Sequence, residues 1–290
     1  MNGAVALWFV LVAVFSIFVA VDIRTTPEAT VMKWAFVILT IFSGPFGALL
    51  YVLSCKEPLP GTHERFVAAK WRQVVGSTSH CVAGDGIGIL AAASVTGLLK
   101  LSDAPSVLIE YTAGFLFGWT IFQSLFMKNS MGGSYTHALR STVLPEFLSM
   151  NGVMAGMIAV MITWRSKDAL SISPLHVRFW FVMSIALCAG FIVSYPINWW
   201  LVSRGLKHGM MTERPEGYVA PDAIHEDQVH SEHSSHVLRD APIARYMDSS
   251  SMTTDGMATP VSKRAEVIAT LITLGILGVG IVLAVTLPHL

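Results

Sequence analysis

The 290 residues are 53% hydrophobic and 13% charged, with 19 Lys and Arg against 19 Asp and Glu. That composition is too apolar for a water-soluble fold around one core, and its charge is too balanced to grip a nucleic-acid backbone. Three cysteines without a paired spacing exclude a disulfide framework.

Crossing ~30 Å of hydrocarbon takes ~20 apolar residues, and seven stretches qualify: 3–21, 31–54, 75–99, 105–127, 138–163, 178–203 and 265–288. The chain therefore reads as all-α, a polytopic transmembrane helical bundle of about seven spans. It divides into a six-helix membrane domain over 1–203, a His-rich and largely disordered loop over 204–264, and a C-terminal transmembrane helix over 265–290. The first stretch has no basic residue before it and no small-x-small site before Asp22, so it reads as a retained helix and not a cleaved signal. Gly44-Pro45 interrupts the second stretch, and Tyr195-Pro196 the sixth; broken helices at membrane depth line cavities or pack against protein.

The third stretch carries the densest chemistry. Residues four apart share a helix face, so Ser77, Cys81 and Asp85 form one stripe and Gly76, His80, Gly84 and Gly88 the next. An acid at the bilayer centre costs ~2.5–3.5 kcal/mol on insertion scales, and such residues mark function by default. His80 and Asp85 are accordingly candidates, against the plainer reading that they are buried hydrogen-bond partners. Cys81 alone fits a small core residue. In the fourth stretch Glu110, a turn from the boundary, reads as a wetted, snorkelling carboxylate, and Gln123 as a helix-to-helix hydrogen bonder.

The fifth stretch joins Pro145 to Glu146 and continues with Met150, Met154, Met157 and Met161 on one face. Proline there removes a helical hydrogen bond beside a buried acid, which fits an ion site. The thioethers suit soft ions such as Cu(I), although a methionine stripe at helical spacing is equally core filler. Trp199, Trp200, Arg204 and Lys207 close the sixth stretch as an interfacial belt with a cytoplasmic anchor. The loop from His225 through His230 and His233 to His236 packs four imidazoles and three acids into twelve residues, a metal-binding composition without a closed zinc spacing. Gly275, Gly278 and Gly280 would let the last helix pack closely on a neighbour.

With seven crossings, thirteen Lys and Arg fall on one side and six on the other; without Arg239 and Arg245, deep in the long loop, the split is eleven to six. Basic residues stay in the cytoplasm, which predicts a cytoplasmic N-terminus and 204–264 loop, and a C-terminus outside.

Gly44-Pro-Phe-Gly, Ser79-His80-Cys81-Val-Ala-Gly84-Asp85, Phe115-x-Phe-Gly118 with Gln123, Glu146-x-x-x-Met150-x-x-x-Met154 and Ser194-Tyr-Pro-Ile-Asn-Trp-Trp resemble a bacterial polytopic family known as domain of unknown function 4396, over roughly 30–210. The resemblance implies a helical integral membrane domain, in the bacterial cytoplasmic membrane, and no activity.

The residues themselves point first to a permease-like carrier for a cation, a transition metal such as copper or zinc. Its path would be lined by His80, Cys81, Asp85, Glu146, Met150 and Met154, with His225, His230, His233 and His236 collecting ions. A membrane redox protein, with His80 ligating haem or copper, and a non-catalytic assembly subunit are the alternatives. Expected partners are the lipid bilayer, a metal ion and a second copy of the chain. No enzymatic motif is legible: Gly84-Asp-Gly-Ile-Gly lies within an apolar helix, and no nucleophile elbow occurs.

Overall fold

The computed structural model describes residues 2–125, 128, 133–210, 212 and 261–287. Regular structure among them is helical: α1 (Asn2–Asp22), α2 (Thr30–Ser43), α3 (Pro45–Ser54), α4 (His63–Val67), α5 (Lys70–Leu98) and α6 (Asp103–Phe117), which a π-helical turn, Gly118–Gln123, continues. There follow α7 (Tyr135–Lys167), a 3-10 turn (Ala169–Ser171), α8 (Val177–Ser203) and α9 (Lys263–Thr286). Five of these, α1, α5, α7, α8 and α9, are long and apolar enough to cross a membrane. The other two expected spans are both interrupted, each for its own reason.

The stretch expected to cross at 31–54 turns back on itself. Its helices have 14 and 10 residues, each short of a crossing. Gly44 between them holds φ 57° and ψ −124°, a backbone conformation that costs any residue with a Cβ. Pro45 then starts α3, where a missing N–H is harmless. Residues equidistant from the turn face each other: Phe36 meets Tyr51 edge-on at 5.8 Å between ring centroids, and a Cβ on Gly47 would lie 2.7 Å from Thr40 Cα. Both ends of the hairpin return to the end of α1, where the Tyr51 hydroxyl donates to Asp22 Oδ2 at 2.7 Å and Lys56 Nζ to Asp22 Oδ1 at 2.6 Å. The stretch is a helical hairpin.

The fourth stretch does pass through the bundle, as α6 of 15 residues plus the six-residue π turn. Asp103 at its start lies 3.9 Å from Arg165 near the end of α7, and the Ser124 hydroxyl just beyond it lies 3.3 Å from that of Thr142 near the start of α7. The two helices are thus antiparallel. Alongside the five membrane-length helices, this direction of α6 brings the start of α1 and the end of α9 to one end of the helical bundle. Trp8 accordingly packs on Phe181 near the start of α8, 5.8 Å between centroids. α9 runs in the same direction as α7, Thr273 against Asn151 and Gly280 against Ala155.

α5 and α7 form the centre. Gly152 and Gly156 of α7 lie on Ser194 and Ala189 of α8, where a Cβ would come 2.9 and 2.6 Å from backbone atoms; small residues let membrane-type helices approach this closely. In α9 only Gly280 is used in this way, against Ala155, whereas Gly275 and Gly278 face open space. Apolar residues such as Leu7, Ile17, Leu271 and Val282 are exposed on the outer helices α1 and α9, as a lipid-facing surface requires.

Candidate functional site

Four side chains from three parts of the chain converge in the middle of the bundle. Cys81 and Asp85 share a face of α5, and Glu146 projects from α7, whose helix continues through Pro145. One ligand atom from each of these three lies within 4.8 Å of the others. The fourth group is Lys207, four residues beyond α8, and only 3% exposed. Its Nζ donates to Glu146 Oε2 at 2.8 Å and contacts Cys81 Sγ at 2.6 Å, while the Cys81 thiol donates to Glu146 Oε2 at 2.9 Å. Burial alone would push the Lys207 ammonium down; Cys81 and Glu146 more than offset it, so the group is held above the ordinary lysine range.

Neither Asp85 oxygen meets a fixed donor among the described residues, and the same holds for Glu146 Oε1. The group Asp85 faces is the Glu146 carboxyl, close enough to share a proton. Buried oxygens normally find partners, so three such oxygens on two facing carboxyls stand out in the interior. Over it lies Gly118, first residue of the π turn. A Cβ there would overlap Asp85 Oδ1 and come 2.9 Å from Glu146 Oε1. π-helical turns inside α-helices occur frequently at functional sites, and here the turn brings bare backbone against the two acids.

The remaining candidates distribute around this centre. His80 is buried beside it, its ring 5.5 Å from Phe122 and its side chain bonded to Gln123, which is itself buried. Met150, Met154, Met157 and Met161 are all fully buried in the main apolar cluster, and Met150 packs on Gly114; core filling accounts for the ladder. Glu110 is not wetted: it is fully buried, 3.3 Å from Arg165 Nη2 and from the Thr96 hydroxyl. His225, His230, His233 and His236 lie outside the described residues.

Lys207 was hidden in the sequence because a lysine just past a span ordinarily snorkels to the interface. Here the chain turns at Gly205, φ 68°, and residues 206–210 fold back onto α5. Met210 packs on Gly76, and Gly209 sits against Gln73. The anchor reading of Lys207 is therefore corrected: the ammonium is a member of the site.

Fold and site together define an all-helical protein of membrane-length helices around a buried ionic centre. Residues 70–207 match the model of the family described as Domain of unknown function (DUF4396). The match begins with α5 and ends at Lys207, so all four residues of the centre fall inside it, while α1 to α4, the Gly44-Pro45 turn and α9 lie outside. It is thus shorter than the 30–210 resemblance expected. No curated protein and no solved structure matches the chain.

Proposed function

We propose that the protein is an integral membrane, permease-like carrier for a soft or borderline transition-metal cation, with Cys81, Asp85 and Glu146 as its binding centre and Lys207 as a tethered counter-ion. The observation supporting this reading is the ammonium itself, seated against the thiol and carboxylate that a metal would use. One ammonium neutralises one carboxylate, so a neutral centre has a proton on the Asp85–Glu146 pair. A divalent ion held by both carboxylates and the Cys81 thiolate leaves one negative charge, which the Lys207 ammonium, moved off the ligand atoms, still balances. Its arrival therefore displaces the Lys207 arm and releases two protons, one from the carboxyl pair and one from the thiol, and its departure readmits them. A thiol beside the acids favours borderline metals such as zinc or copper over Mg²⁺ or Ca²⁺.

Orientation follows from the hairpin, which moves Arg24 and Lys33 to the basic face. Four of the nineteen Lys and Arg residues then remain at the other, Lys100, Arg165, Lys167 and Arg178. The positive-inside bias puts the 204–262 connection in the cytoplasm and the start of α1 and the end of α9 outside.

The test is metal uptake into proteoliposomes. Wild type should accumulate zinc or copper above empty vesicles, and Glu146→Gln should lower the rate by more than ~10-fold, since even partners outside the ligand shell are worth that much. Uptake no faster than empty vesicles, or a fully active Glu146→Gln variant, would reject the reading. The packing of Gly209 and Met210 on α5 favours a second reading, in which the ion pair only clasps the segment after α8 to the bundle; the same uptake failure with an intact fold would support it.

A further inference from the structure

At the base of the hairpin lies a second cluster that the carrier reading does not use. Glu28, from the connection before α2, Cys55, the residue that closes α3, and His63, the first residue of α4, bring an oxygen, a sulfur and a nitrogen within 4.8 Å of one another. All three are buried, at 2%, 0% and 0% exposure. Each is held from a different side. Glu28 Oε1 accepts the Ala29 N–H at 3.1 Å, leaving Oε2 on the side of His63. His63 Nδ1 lies 2.8 Å from the Thr212 hydroxyl, and the Glu28 and Thr212 backbones pair as an isolated antiparallel bridge.

We propose that Glu28, Cys55 and His63 form a metal site for a zinc-class divalent cation. Glutamate, thiolate and imidazole are three of the ligand types zinc takes, and three protein ligands leave a fourth position open. The distance from His63 Nε2 to Glu28 Oε2 is 3.8 Å, beyond a hydrogen bond. Two ligands about 2.0–2.2 Å from one tetrahedral ion stand about 3.3–3.6 Å apart, so a small closure seats the metal. With Nδ1 engaged by the Thr212 hydroxyl, Nε2 is the ligand atom, the arrangement by which outer-shell partners orient metal-bound histidines. Charge balances too: one carboxylate and one thiolate neutralise a divalent ion, the thiol proton leaving to solvent. Lys33 acts on Cys55 electrostatically, but its ammonium reaches toward the Arg24 carbonyl at 3.5 Å. Thr212 stands five residues past Lys207, so the metal would fasten the segment that carries the intramembrane ammonium.

Cobalt(II) titration of the detergent-purified full chain tests this, because a thiolate-to-cobalt charge-transfer band requires a cysteine ligand and the 204–264 loop has none. In a Cys81→Ser background, which removes the thiol of the bundle centre, the protein should develop the band to one equivalent and lose it on adding zinc. Adding Cys55→Ser should abolish the band, and adding Thr212→Val should keep it with ~10-fold weaker cobalt affinity. Absence of the band in the Cys81→Ser protein would overturn the proposal, as would its survival once Cys55→Ser is added. Zinc or copper uptake by Glu146→Gln vesicles reports on the carrier reading separately.

Discussion

Lys207 shows what a single residue does in this interior. Removing one partner of a buried ion pair strands the other and typically costs about 3–5 kcal/mol. Lys207→Met should therefore lower thermal stability in detergent far more than Lys207→Met combined with Glu146→Gln, in which no uncompensated charge remains; equal losses would show that the ammonium is not paired with Glu146. Gly118 is the other residue the centre depends on. Gly118→Ala drives a Cβ into Asp85 Oδ1, and overpacking of this kind costs about 1–3 kcal/mol. Gly278→Ala, whose Cβ would meet nothing within 4 Å, should stay within about 0.5 kcal/mol of wild type. Thermal unfolding of the two variants side by side checks this. Cys81, Asp85 and Glu146 could be read from the sequence because helical spacing aligns the first two and a proline flags the third. Lys207 could not, since its inward path depends on a left-handed Gly205 and on packing against α5, neither of which a lone lysine past a span reveals.

At the scale of the element, the hairpin is the main departure from expectation. The 24 residues of 31–54 are mostly apolar, with Lys33 the single charge, and length is the signal for a crossing. Gly44-Pro45 was visible as a break, but a kink and a reversal look alike until Phe36 is seen opposite Tyr51. Gly44→Ala should be destabilising by roughly 1–3 kcal/mol, from backbone strain alone, and its Cβ would also meet Val12 Cγ2 at 2.7 Å. The segment after α8 should respond to acid. Burial holds His208 below its ordinary value of 6.5, so the folded state disfavours its proton. Its contribution to stability is complete above about pH 6.5 and is lost as pH falls toward the lowered folded value. His208→Asn should flatten the dependence of melting temperature on pH in that window; an unchanged slope would place the acid sensitivity elsewhere.

Over the whole molecule, the composition pointed to membrane-length helices; five of the described helices have that length and apolarity, and the 31–54 stretch folds instead into two short ones. Reporter fusions distinguish the arrangements: tags before α1 and after α9 should both be outside, with one inserted at residue 230 inside, whereas seven crossings would separate the two ends. Besides the Glu110–Arg165 pair and Glu28 at the hairpin base, the bundle buries charge where α5, the π turn, α7 and the returning Lys207 meet. The claim that this ammonium holds the place of a cation is tested most directly by thermal unfolding of Lys207→Met with and without zinc, in a Cys55→Ser background that removes the hairpin thiol. At about 100 times its dissociation constant, zinc filling the vacated centre should restore about 2.7 kcal/mol. The same zinc should do little for Lys207→Met combined with Glu146→Gln. Equal responses of the two variants would contradict the account and leave Lys207 as a clasp.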